Sequence, residues 1–67
     1  MEFQKNCYYL YERRESKPWI KVMYLGIRMN KKKTKKKHLF IESETGNYFT
    51  ISYDSVRPKN FIKHNNE

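Results

Sequence analysis

Sixty-seven residues make one domain at most, with too little length for a large core. Aromatic residues form 16% of the chain and alanine is absent, a composition that favours strands over helices. The net charge of +8 comes from 15 basic and 7 acidic residues, and the single cysteine, Cys7, excludes an internal disulfide.

The first residues, Met1 to Asn6, lack the apolar stretch of a signal peptide and read as a lead-in. No apolar run approaches the ~20 residues of a membrane helix. A lone thiol without a disulfide framework suits a reducing compartment, so the expected location is the cytoplasm, with no membrane partner.

The domain proper is expected over residues 7–62. Cys7-Tyr8-Tyr9-Leu10-Tyr11 reads as a first strand. Glu12 to Lys17 is charged, and Pro18 closes it as a loop. Trp19 to Met29 is the longest strand candidate, with Ile20, Val22 and Tyr24 on one face and Trp19, Lys21 and Met23 on the other. Gly26 inside it predicts a bulge. A one-residue shift there turns Ile27 and Met29 towards the core. Asn30 to Lys37 has no apolar residue and reads as a loop. His38 to Glu42 is a third strand, Ser43 to Asn47 a tight turn with Gly46 supplying positive φ, and Tyr48 to Tyr53 a cleanly alternating fourth strand. Phe49, Ile51 and Tyr53 share one side of it, and Tyr48, Thr50 and Ser52 the other. A single helical turn is expected near 54–56, with Asp54 as its cap. Arg57 to Ile62 supplies a last strand, and residues 63–67 form a frayed tail.

The fold class is therefore all-β: about five short antiparallel strands, closed on themselves to cover the apolar face and the edges. This order resembles the SH3-like small barrels. Tyr53-Asp54-Ser55-Val56-Arg57-Pro58 is similar to the strand, turn and final strand that close many of them. Glu44-Thr45-Gly46-Asn47-Tyr48-Phe49 is similar to a hairpin in small SH3-like chromatin proteins of archaea. The resemblance implies a binding role without choosing a ligand.

The charge is concentrated. Residues 28–37 hold seven cations and no acid: Arg28, Lys31, Lys32, Lys33, Lys35, Lys36 and Lys37. The other 57 residues carry 15 − 7 = 8 basic and 7 acidic side chains. A lysine run repels itself and should be mobile as a free loop, and a polyanion would relieve that repulsion by releasing counterions. Six lysines and one arginine suit phosphate contact more than base reading. Trp19, Lys21 and Tyr48 are candidates for stacking or support beside the loop, with Tyr9 or Tyr11 joining them depending on the first strand's register. Arg13 and Arg14 either extend the patch or balance Glu12 and Glu15.

Catalysis and metal binding are not expected. Cys7, His38 and His64 lack metal-ligand spacing, and no glycine loop cradles a phosphate. Glu42, Glu44 and Asp54 read as strand-edge and turn residues. The expected function is a non-catalytic module without cofactor, binding DNA or RNA through its phosphates. The alternative is a protein-interaction module, of the kind a phage or mobile element encodes to occupy a host protein with an acidic surface. A free strand edge leaves monomer and homodimer both open.

Overall fold

The computed structural model describes residues 2–13 and 18–64. It is all-β, as the composition predicts. Five strands, β1 (Tyr8–Tyr11), β2 (Ile20–Met29), β3 (Lys36–Glu42), β4 (Tyr48–Ser52) and β5 (Phe61–Lys63), form one antiparallel sheet in the order β4-β3-β2-β1-β5. Two 3-10 turns, Tyr53–Ser55 and Pro58–Asn60, lead from β4 to β5.

Alternation decides which face each residue takes. Tyr9, Val22, Tyr24, Phe40 and Phe61 are buried and form the core. Phe49 and Ile51 of β4 pack against it, while Tyr48, Thr50 and Ser52 point away, as the pattern predicts. In β1 the run of apolar side chains offers no alternation to read. The structure puts Tyr9 in the core and packs Tyr11 against it, so neither is an outward platform.

The bulge at Gly26 is present. Tyr24 pairs with Phe40 and Gly26 with Leu39, which leaves Leu25 without a partner in the ladder. Gly26 takes φ +115°, a backbone conformation that strains any L side chain. The bulge shifts the parity of the strand, and Ile27 now pairs with His38 on the core side. Ile27 is nevertheless 51% exposed, because by this point the strand has run past the packed core to its rim.

Several boundaries differ from expectation: Cys7, Trp19 and Tyr53 fall just outside β1, β2 and β4. β3 begins at Lys36 instead of His38, so two of the lysines expected in a loop are strand residues. The helical turn starts one residue early, at Tyr53, and Asp54 lies inside it with no side-chain cap bond. The last strand keeps only Phe61 and Ile62 of the expected residues, because Pro58 starts a second 3-10 turn in which Asn60 N–H bonds to Arg57 O at 3.0 Å, and it gains Lys63, expected in the frayed tail, which pairs with Tyr9.

Among the described residues no ladder joins β4 to β5, so the sheet is open along its backbone. Aromatic side chains bridge the two ends. Phe49 of β4 stacks on Tyr11 of β1 at 5.5 Å, Tyr11 on Phe61 of β5 at 4.6 Å, and Phe61 on Phe40 of β3 at 5.4 Å. Phe3 enters from the segment before β1. Its ring lies within 5.3 Å of five others: Tyr9, Tyr24, His38, Phe40 and Phe61. Asn6 N–H bonds to Tyr24 O at 2.8 Å, which carries the pairing with β2 beyond the end of β1 and delivers Phe3 to this position.

Truncating Phe3 removes a ring from the middle of that cluster. Phe3→Ala is expected to cost about 3 kcal/mol. A domain of this size has only about 3–5 kcal/mol to lose. Far-UV circular dichroism through a urea titration should show the variant largely unfolded at 37 °C, with the parent still folded.

Candidate functional site

The basic segment is the far end of the β2–β3 hairpin. Arg28 pairs with Lys37 and Met29 with Lys36, and the turn lies between. Asn30 organises that turn. Its backbone oxygen accepts from Lys33 N–H at 2.9 Å, and its side-chain Oδ1 accepts from Thr34 N–H at 2.8 Å and Lys35 N–H at 3.3 Å. Its Nδ2 donates to Thr34 Oγ1 at 3.0 Å, and its own N–H donates to Lys35 O at 3.1 Å. Asn at the first position of such a turn, followed by Lys33 in the left-handed region at φ 55°, is an ordinary hairpin solution. The lysines thus ride on a hydrogen-bonded turn, where the charge pattern alone predicts a self-repelling free loop.

All seven cations of residues 28–37 are exposed. Among the described residues the ion pair is Arg13–Glu42, at 3.3 Å, and none of the seven takes part in one. Arg13 also lies over the Phe49 ring, 5.3 Å from its centroid. It belongs to the sheet's closure and not to the basic patch. Arg14 and Glu15 lie outside the described residues.

The strand period splits the cations between two faces. Lys37 shares the outer face with Leu39, while Lys36 shares the other with His38. On the outer face a groove of about 580 Å³ is lined by Arg28, Lys31 and Lys37, by Met29, Asn30 and Leu39, and by Tyr48 and Thr50 of β4. Tyr48 is 66% exposed. The register pairs Ile41 with Tyr48 and Lys37 with Ser52, so Tyr48 stands about 13 Å along the sheet from Lys37, with Leu39 and Thr50 between them. The fold therefore brings one of the three predicted supports, Tyr48, to the hairpin cations.

It does not bring the other two. Trp19 precedes β2 at the opposite end of that strand, roughly 30 Å along it from Arg28. Lys21 places its ammonium 4.3 Å from the centroid of the Tyr8 ring on the outer face of β1 and β2. Lys32, Lys33 and Lys35 occupy the turn itself, at the hairpin tip.

On the other face lies a cleft of about 410 Å³ that sequence reasoning does not find. Ile27 and His38 border it on the hairpin side, Tyr53, Val56 and Pro58 on the side of the 3-10 turns, with Phe3, Tyr24 and Glu2 completing it. Tyr53 stacks on His38 at 5.0 Å, and Lys36 Nζ sits 5.6 Å from the Tyr53 centroid. The one signal for it is the alternation that puts Phe49, Ile51 and Tyr53 on one side. That pattern points to core, but Tyr53 has passed the end of β4 and stands at the rim, 48% exposed.

His38 and Tyr24 form a hydrogen-bonded pair in this cleft. Burial lowers the His38 pKa below its usual 6.5, and burial, then nearby Tyr53 and Tyr9, raise that of Tyr24. The Tyr24 hydroxyl and His38 Nδ1 share a hydrogen bond of 2.8 Å, and the lowered pKa leaves His38 uncharged at neutral pH. Cys7, half-buried, lies apart, its Sγ 3.7 Å from Gln4 Oε1.

No family model, no curated protein and no solved structure matches this chain. No helix among the described residues is long and apolar enough to cross a membrane.

Because the folded chain holds His38 less basic than the unfolded chain, the unfolded state binds more protons below pH 6.5. The contribution of His38 to stability is then complete above pH 6.5 and shrinks as pH falls through that value, levelling once the folded His38 is itself protonated. The His38 ring protons followed by NMR should titrate with a midpoint below 6.5. The melting temperature should fall between pH 7.5 and 5.5, by less in His38→Asn.

Proposed function

We propose that this protein is a non-catalytic nucleic-acid-binding module, working in a reducing, cytoplasmic setting, whose β2–β3 hairpin grips the phosphate backbone. The observation that carries the reading is the groove on the outer face. Arg28, Lys31 and Lys37 line its hairpin end, the exposed ring of Tyr48 lines it about 13 Å further along the sheet, and no acidic side chain lines it. Cations alone give salt-dependent contact with any polyanion, and an exposed tyrosine adds a surface on which a base can stack. Lysine outnumbers arginine six to one in the segment, which favours phosphate contact over bidentate recognition of a base edge. The strand order and the 3-10 turns before β5 support the resemblance to SH3-like barrels.

A second reading is a protein-interaction module that pairs a partner's strand with β4. It draws on one feature: Tyr48-Phe49-Thr50-Ile51-Ser52 lies at the sheet edge and carries neither charge nor proline, the devices that usually blunt an edge.

Replacing Lys31, Lys32, Lys33, Lys35, Lys36 and Lys37 with glutamine separates the two. On the nucleic-acid reading, affinity for oligonucleotides at near-physiological salt falls by more than about 100-fold. The slope of log K against log salt flattens by about 0.7–0.9 for every phosphate that the variant no longer neutralises. Fluorescence anisotropy of a labelled oligonucleotide across a salt series measures both. Binding confined to low salt, without preference among nucleic acids, would sink the reading and leave the β4 edge as the stronger candidate.

A further inference from the structure

We infer that the nucleic acid this protein takes is single-stranded, and that the strand crosses the β4 edge with one base on Tyr48 and a second in the cleft beside Tyr53. The inference rests on the nucleic-acid reading above and deepens it.

Each side of the edge carries an exposed tyrosine and a cation of β3. Outside, Tyr48 stands with Lys37 and Arg28 around one groove. On the other side, Tyr53 stands with Lys36, whose Nζ is 5.6 Å from the ring centroid. Lys36 and Lys37 are consecutive residues of β3, so one step along the strand supplies a cation to each face. Tyr48 opens β4 and Tyr53 immediately follows its end, which sets the two rings about 17 Å apart along the edge. The side chains of β4 between them carry no charge, so nothing on the edge repels a phosphate.

The cleft suits a base and not a phosphate. Its volume of about 410 Å³ lies within the range of about 300–1,000 Å³ typical of small-ligand sites. Ile27, Val56 and Pro58 give it apolar walls, and the Tyr53 ring, backed by His38, gives it an aromatic one. Glu2 also lines it, and that carboxylate would repel a phosphate but can accept from a base's ring N–H or amino group. Unpaired bases have free faces, one base for Tyr48 and a second for Tyr53, whereas the bases of a duplex are stacked away. A duplex is also stiff over about 150 base pairs and cannot turn around a sheet edge at this scale.

The test uses the full chain with labelled 12-nucleotide oligo(dT) and oligo(U), and a duplex of the same length, at near-physiological salt. Either single strand should bind at least tenfold more tightly than the duplex. Tyr48→Ala and Tyr53→Ala should each weaken single-strand binding by about 5- to 100-fold, leaving duplex binding unchanged. Tyr53→Phe, which keeps the ring, should bind as the parent does and guards against a folding defect. Equal or tighter binding of the duplex overturns the single-strand inference, as do tyrosine variants without effect, and both outcomes leave phosphate contact by the hairpin standing. Failure of every oligonucleotide to bind overturns the nucleic-acid reading itself.

Discussion

Because no backbone ladder joins the two outer strands among the described residues, stacked rings hold the ends of this sheet together. Phe49, Tyr11 and Phe61 carry the contact from β4 across to β5, and Phe40 ties it to the sheet's centre. A small domain cannot fill a wide interior with aliphatic side chains alone. Aromatic residues bury more area per residue and have few rotatable bonds to immobilise. The cost is that each position matters. Phe3 touches five rings at once, so the segment before the first strand is as much a part of the core as any strand.

The surface features follow from this arrangement. The core ends near Tyr24 and Phe40, and the β2–β3 hairpin continues beyond it. Past Ile27 and His38 the hairpin has no interior to cover, which is why residues 28–37 can hold seven cations. Asn30 closes the turn with its side-chain amide, a task that hydrophobic contact performs elsewhere in the chain. Strand alternation then sends Lys36 and Lys37 to opposite faces, Lys36 beside Tyr53 and Lys37 on the face that carries Tyr48.

Much of the fold is legible in the residues. Alternation locates β4 and the inward side chains of β2, and Gly26 announces the bulge. The sequence is silent where its pattern is uniform. Tyr8-Tyr9-Leu10-Tyr11 is apolar throughout, so its register has to come from pairing with β2. Phe3 is flanked by Glu2 and Gln4 and has no periodic neighbours, so its burial depends wholly on tertiary contacts. Lys36 and Lys37 resemble loop because charge masks strand propensity. Of the candidate site, the cations and Tyr48 can be named in advance. The cleft beside Tyr53 cannot, since its walls come from segments far apart in sequence. Trp19 and Lys21 lie at the start of the strand that carries Arg28, yet the length of that strand carries them away from it.

The ring closure also shapes how the molecule opens. β2, β3 and β4 follow one another in sequence and pair as a meander, with short loops to close. The β1–β5 ladder joins Tyr9 to Lys63 and Tyr11 to Phe61, across most of the chain. Contacts so distant in sequence carry the largest loop-closure cost and tend to form late in folding. Rings in van der Waals contact can slide apart without breaking a hydrogen bond, so the seam between β4 and β5 is the natural place for the fold to breathe. Amide hydrogens of the β2–β3 pair would then exchange slowly, by whole-molecule unfolding, while those of β5 and the residues around Phe3 exchange through smaller local openings.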